Sequence, residues 1–380
     1  MGFMGNEIDV CIRGDGITGC ALALSLARQQ LRVGLVSTPL ASDSPDVRAY
    51  SLNASARQLL SGLGAWPDAS HATAVQRMSV WGDDTGQIGF EAPPGQALSW
   101  IVDVPVLEQL LRERVRAEPL IQVLTQAQGA ELTVVCEGKG SDTRRELGLA
   151  FDRQPYGQHA LAFRVRHAVP HQFCARQWFG GQGDGAWILA LLPLSDPHAS
   201  AVVWSLPPQL AQQRRAIDAQ TLCAELARSS ADALGAFELT GPRAVWPLQS
   251  AQARHWTGTL PDGGAFALVG DAAHNIHPLA GLGLNLGLDD VAVLDRTLQG
   301  RQRDGRRTGV GDARLLRRYE RERKWGVSTV NGVCDGLQTL FSHPSPAVRW
   351  ARNAGLSCVN RMGFLKQWAM AQATHLESGS

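Results

Sequence analysis

Two glycine clusters hold the residues of this 380-residue chain whose types and spacing could do chemistry. The first is Gly14-Asp15-Gly16-Ile17-Thr18-Gly19, a G-x-G-x-x-G. In such a loop Gly14 permits a tight turn and Gly16 lets the backbone pass close to a pyrophosphate. Gly19 lets a helix pack against a strand, and the helix start offers free N–H groups to phosphate oxygens. The pattern means dinucleotide binding only in a strand–loop–helix–strand setting. That setting is present: the β-rich run Ile8–Ile12 precedes it, the apolar helical pattern Cys20–Ala27 follows, and Arg32–Val36 reads as a second strand. At the end of that strand, where an Asp or Glu would bond the ribose 2′-hydroxyl, stands Ser37.

The second cluster runs from Gly270 to Gly287. An apolar strand, Ala265–Val269, leads into a loop with one carboxylate, Asp271, then Pro278 and a glycine-rich entry, Gly281-Leu282-Gly283, into an apolar helix. Backbone N–H groups at such a helix start suit an electron-rich ring oxygen or an anion. Without context the same segment is an ordinary glycine-rich connection. His274 and His277 are three apart, as metal ligands can be, but the loop and Pro278 favour structural hydrogen bonds. No Ser/His/Asp constellation has supporting context. The cysteines (Cys11, Cys20, Cys136, Cys174, Cys223, Cys334 and Cys358) form no C-x-x-C pair, so buried thiols are expected rather than disulfides or zinc.

Composition narrows the classes further. A hydrophobic fraction of 44% supports a sizeable core, in two or three domains or one large α/β unit. Lys+Arg 36 against Asp+Glu 35 gives a formal charge of +1, which excludes a global electrostatic footprint for nucleic acid. The longest apolar run, Ala186–Leu194, falls far short of the ~20 residues a bilayer span needs. No charged segment followed by an apolar one opens the chain, so a cytosolic location is expected.

The second cluster resembles the G-D-A-A-H-x-x-x-P-x-x-G-x-G-x-N motif of flavoprotein aromatic hydroxylases. Its form from His277 to Leu288 is similar to the ubiquinone-biosynthesis hydroxylase family in particular. Asp46–Leu52 resembles that family's D-x-R-x-x-x-L, Leu60–Trp66 its L-x-x-L-G-x-W, and Tyr156–Ala160 its Y-x-Q-x-A. Tyr319–Arg323, Asp335–Leu337 and Leu340–Ser342 resemble its C-terminal Y-E-x-x-R, D-G-L and L-F-S, the most specific set. The resemblance covers nearly the whole chain. It implies an α/β fold: an FAD-binding, Rossmann-like domain of the para-hydroxybenzoate hydroxylase kind (5–70, 100–150 and 245–300). An inserted antiparallel-sheet substrate domain (71–99 and 151–244) and a C-terminal helical region (301–380) complete it.

By the same resemblance Gly14, Gly16 and Gly19 hold the FAD pyrophosphate and Arg48 reaches the FAD. Asp271 bonds the ribityl chain or pyrophosphate, and Gly281, Gly283 and Asn285 place backbone donors under the isoalloxazine pyrimidine edge. The implied activity is hydroxylation of a polyprenylated phenol through a flavin C4a-hydroperoxide, with NAD(P)H as reductant. The implied setting is cytoplasmic, peripheral to the inner membrane, beside other ubiquinone-biosynthesis proteins.

The chain departs from the family pattern at Ser37, at Glu137 in place of Asp in D-G-x-x-S-x-x-R, at Leu282 in place of Gln, and at Val104-Pro105. The stretch from Val115 to Glu137 is also short and is expected to lack crossover strands. These departures motivate a second reading, a flavin-degenerate, non-catalytic paralogue that helps assemble a ubiquinone-biosynthesis complex. A plain NAD dehydrogenase leaves the second cluster without a role.

Elsewhere, Val75–Trp81 and Ile88–Phe90 read as strands of the inserted lobe. Leu161–Arg166, Cys174–Phe179, Trp187–Leu192 and Ala201–Leu206 read as consecutive antiparallel strands that roof the flavin. Arg296–Arg323 reads as a solvated linker and helix. Trp325, Trp350, Phe364 and Trp368 interleave with Arg349, Arg352, Arg361 and Lys366, a pattern suited to anionic lipid.

Overall fold

The computed structural model describes residues 8–37, 47–82, 86–181, 183–275, 283–301 and 308–342, with backbone alone at 184 and 333–342. His277, Gly281, Leu282, Cys358 and the tail aromatics from Trp350 onward lie outside the described residues, as do the side chains of Cys334, Asp335–Leu337 and Leu340–Ser342.

The chain opens with β1 (Val10–Arg13), α1 (Ile17–Arg28) and β2 (Val33–Val36). Next come β3 (Ala49–Leu52), α2 (Ala54–Gly62), β4 (Ala72–Val75), β5 (Arg77–Trp81), β6 (Gln87–Glu91) and β7 (Ser99–Asp103). Then follow α3 (Val104–Ala117), β8 (Ile121–Leu124), β9 (Leu132–Val135) and the short α4 (Asp142–Glu146). A long stretch of sheet follows with β10 (Phe151–His167), β11 (Cys174–Gly180), β12 (Trp187–Pro193) and β13 (Ala199–Leu206), then α5 (Pro208–Ala216), α6 (Ala219–Ser229), β14 (Phe237–Leu239) and β15 (Ala244–Ala253). The chain returns to the first layer with β16 (Thr257–Thr259), β17 (Ala265–Leu268), β18 (His274–Asn275), α7 (Gly283–Gln299) and α8 (Ala313–Ser342).

Three sheets result. The first has the order β16-β17-β9-β1-β2-β8 and is parallel except at its edge strand β16. The second runs β18-β15-β10-β13-β12-β11-β5-β6, antiparallel except where β11 meets β5. The third is β3-β7-β4. Apart from the edge strand β8, the parallel strands are buried and near-continuously apolar, as helix-covered strands must be. One core joins them to α1, α7 and α8 through residues such as Ile12, Leu22, Val134, Leu294 and Tyr319.

In the antiparallel sheet the strands alternate. Leu161, Phe163, Leu189, Leu191, Val202 and Trp204 pack one face with Leu222 and Leu226 of α6. The intervening residues point the other way, with the period of two that a pleated strand imposes.

Two expectations need correction and a third gains its sheet order. Residues 75–81 are not one strand: the chain leaves the third sheet at Val75 and joins the second at Arg77, turning at Gln76, whose N–H bonds Phe173 O. The four roof strands are consecutive in the chain and antiparallel, as expected, but their order in the sheet is β10-β13-β12-β11: β10 pairs with β13 and β15, and β11 pairs with β12 and β5. Residues 168–173 carry the chain to that position, with Gln172 and Phe173 both at positive φ. Finally, Arg296–Arg323 is not wholly solvated, because Arg301, Leu316, Tyr319 and Arg323 are buried.

The short segment after α3 contains one strand, β8, at the edge of the parallel sheet. Residues 125–131 alone then carry the chain back to β9. Cys11, Cys20, Cys136, Cys174 and Cys223 are free and buried, as expected. Among the described residues no helix is long and apolar enough to cross a membrane, and no cluster of His, Cys, Asp or Glu could hold a metal ion.

Candidate active site

The three glycines of the first loop differ in what holds them. Gly14 has φ +111, and a Cβ there would lie 2.6 Å from Cys136 O. A Cβ on Gly19 would lie 1.9 Å from Gly14 O, so α1 can approach β1 only without one. Gly16 is unlike both. Its φ of −69 and ψ of −178 are open to any residue, and a Cβ there would meet nothing within 4 Å. Gly16 caps α1, whose first-turn N–H groups have no intrahelical acceptor, and leaves open space where a Cβ would stand. That space belongs to a cavity of about 610 Å³ which Gly16, Ile17 and Thr18 line.

The second loop reaches the same cavity through Gly270, Asp271, Asn275, Gly283 and Asn285. Its shape is set from behind by a buried carboxylate, Asp290, that sequence reasoning did not single out. Asp290 Oδ2 accepts from Gly270 N at 2.8 Å and bonds His274 Nε2 at 2.7 Å. Its Oδ1 accepts from Arg323 Nε at 2.6 Å, and Arg323 also donates to Leu286 O. Burial opposes the Asp290 charge, but the His274 and Arg323 side chains beside it hold the carboxyl below its ordinary range. Trp256 stacks on His274, and Tyr319 Oη donates to Leu268 O at 2.9 Å. The Y-E-x-x-R segment thus acts here by tying α8 to the loop that carries Asp271. The structural role expected for His274 is what it performs.

Asp271 is pushed above the ordinary carboxylate range by burial, against the pull of Lys139, His274 and Arg48. Arg48 lines the cavity and lies 3.5 Å from Glu108. Asn285 is buried, and its side chain joins two elements: Nδ2 donates to Ser51 O and Oδ1 accepts from Asn53 N. Gly283 has open space where a Cβ would be.

Glu137, a departure from the family pattern, is accommodated. Its carboxylate accepts from Ser141 Oγ, Thr143 N and Thr143 Oγ1, which closes the start of α4. Arg144 is then buried, donating to Ala272 O and Lys139 O over the ring of Phe151. Val104 and Pro105 open α3, where a proline is tolerated because its missing N–H would have no partner.

The inward face of the antiparallel sheet closes the cavity. Ala162, Ala175, Ala190, Ala201 and Val203 give it an apolar surface of small side chains. They face one another because the register sets Gln177 opposite Ala190, Ala190 opposite Val203 and Val203 opposite Ala162. Gln177 is the polar interruption, 7% exposed and without a side-chain hydrogen bond among the described residues. Asn275 Oδ1, also buried and on the cavity wall, has no partner among them either. Gln177 had no motif to announce it, since its place is set by strand pairing, and Lys139 and Asn275 stand at unspecified positions of the motifs that contain them.

The site fits an extended dinucleotide: the space over Gly16 is what a phosphate would fill, and Asn275 Oδ1 lacks the donor a bound group would supply.

Comparison with known proteins agrees with this geometry. Residues 125–330 match the family model described as FAD binding domain. The chain is 30% identical to ubiquinone hydroxylase UbiL of Rhodospirillum rubrum, over 96% of this chain and 89% of that protein. It is 30% identical to 3-demethoxyubiquinol 3-hydroxylase of Escherichia coli, over 97% and 98%. Among solved structures, p-nitrophenol 4-monooxygenase PnpA of Pseudomonas putida superposes with a TM-score of 0.79 at 17% identity, covering 99% of this chain and 100% of that one. PqsL of Pseudomonas aeruginosa, a probable FAD-dependent monooxygenase, gives 0.72 at 23% identity, covering 92% and 100%.

Proposed function

From a chain that belongs to the FAD-dependent monooxygenase family of ubiquinone-biosynthesis hydroxylases, we propose that the cavity holds FAD beneath a roof that seats a polyprenylated phenol. The protein is an FAD-dependent hydroxylase of ubiquinone biosynthesis. The observation that carries the reading is a single cavity walled on one side by the glycine loops and on the other by the alanine-lined sheet.

In this reading the N–H groups at the start of α1 and the open backbone at Gly16 hold the pyrophosphate, with Gly14 and Gly19 fixing the turn around it. Arg48 and Lys139 bring positive charge to the same cavity wall. Asp271, with Asp290 fixing its loop, takes hydroxyl groups of the ribityl chain. Gly283 and the Asn285 backbone present the start of α7 to the pyrimidine edge, where a helix N-terminus favours negative charge, and the family resemblance assigns Gly281, outside the described residues, to the same edge. When bound, the flavin supplies the redox chemistry and the oxygen transfer. The chain's own part is to orient the ring and exclude water, which the small apolar side chains of the roof suit. Gln177 is the polar group that the roof offers a ring substituent.

NAD(P)H as reductant and a peripheral contact with the inner membrane complete the proposal. Trp325, 79% exposed on α8 among charged neighbours, supports such a contact. The non-catalytic assembly reading is not favoured by the hydroxylase names of the relatives, and the Glu137 departure it leaned on is satisfied locally.

The visible spectrum of the purified protein tests the cofactor. Flavin absorbance is expected as isolated or after adding FAD, and a protein that stays colourless with excess FAD would sink the proposal. Oxygen-dependent hydroxylation of a short-chain prenylated phenol tests the substrate. Quinone synthesis that persists in cells carrying only a folded Asp271→Ala variant would restore the assembly reading.

A further inference from the structure

A carboxylate inside a phosphate-binding loop is out of place on electrostatic grounds, since two phosphates would pass the adjacent backbone with the same sign of charge. Asp15, between Gly14 and Gly16, is such a residue. Its side chain is turned aside: Oδ2 accepts from Ser37 Oγ at 2.6 Å. Its carbonyl oxygen accepts from Cys20 Sγ at 3.1 Å, which fixes the backbone beneath it. Ser37 is the residue just past β2, anchored by its N–H on Leu124 O. That strand end is where a dinucleotide fold ordinarily carries the acid that binds the ribose of the adenosine half. The strand end has lost its acid, and the loop delivers one to the same place. Asp15 Oδ1 has no hydrogen bond among the described residues, so it is left to accept from a ligand.

We propose that Asp15, held in position by Ser37, is the ribose-binding acid of this chain, accepting from the 2′-hydroxyl of the adenosine ribose of FAD. The inference rests on the FAD reading above and adds a residue that reading does not use. Serine then has a definite task at position 37. Its hydroxyl donates to the loop carboxylate and fixes its direction, whereas an acid there would repel Asp15 across 2.6 Å.

The test uses the flavin-free full chain and three ligands: FAD, ADP and 2′-deoxy-ADP, measured by calorimetry. A hydrogen bond from a ribose hydroxyl to a charged acceptor should make the wild type prefer ADP over 2′-deoxy-ADP by about tenfold or more. Asp15→Ala should erase that preference and weaken FAD by a similar factor, with an unchanged melting temperature in the absence of ligand. Asp15→Gly combined with Ser37→Glu should restore both the preference and the FAD affinity, because the acid returns to the strand end. A wild type that binds FAD yet treats ADP and 2′-deoxy-ADP alike overturns the proposal and leaves the FAD reading standing. An Asp15→Ala variant that keeps the preference does the same. A wild type that binds none of the three overturns both.

Discussion

The two walls of the cavity are built by opposite means. On the parallel-sheet side the chemistry belongs to the backbone: Gly14, Gly16 and Gly19 act by what they lack, and the start of α1 acts through N–H groups every residue has. On the antiparallel side it belongs to side chains, where Ala162, Ala190, Val203 and Gln177 form one surface because three separate strand pairings align them. A backbone site tolerates almost any neighbour but not a Cβ in the wrong place. A side-chain site tolerates changes of chain but depends on register. The backbone wall can therefore be written in a few adjacent residues, while the side-chain wall draws on strands that run from Ala162 to Val203.

The largest effect should come from the anchor behind the backbone wall. Arg323→Met leaves the fully buried Asp290 carboxylate without its cation, and one-sided removal of a buried ion pair costs about 3–5 kcal/mol. Urea denaturation measures it, and a loss below about 1 kcal/mol would mean that α8 does not hold the Asp271 loop.

Next comes a separation within the glycine loop. Gly19→Val should unfold or severely destabilise the chain, because its Cβ would overlap Gly14 O. Gly16→Val should leave the ligand-free melting temperature near that of the wild type and abolish its rise with FAD. Equal melting curves for the two variants would show that the loop does not distinguish binding from turning.

A smaller effect is expected with pH. Burial pushes the Asp289 carboxyl from 3.8 up to about 6, so the folded protein keeps a proton that the unfolded chain has released. The contribution is fully present below pH 3.8 and is lost as pH rises through about 6. Asp289→Asn should remove that slope and raise stability at neutral pH by about 1–2 kcal/mol, after allowance for partial exposure. A variant whose stability falls more steeply over that interval would contradict this.

The smallest effect on folding should come from the roof. Ala190→Leu adds bulk to the cavity wall, and KM for a prenylated phenol should rise several-fold with a melting shift within about 2 °C. A large loss of stability would mean that Ala190 packs against protein rather than ligand.

The sequence by itself determined whatever lies within one stretch of chain. The strand–glycine–helix start, the strand that leads into the second glycine cluster and the buried thiols could all be read from neighbouring residues, because short-range sterics and periodicity fix them. Tertiary structure alone decided what depends on meetings across the chain. It placed β11 beside β5 rather than β10, and set Asp290 between His274 and Arg323. It also brought Asp15 against Ser37, so that a departure read as the loss of an acid became a change in where the acid is attached. The physical reason is that spacing along a chain specifies local geometry, whereas a hydrogen bond between residues 22 or 33 positions apart exists only once the packing of whole sheets and helices has brought its two ends together.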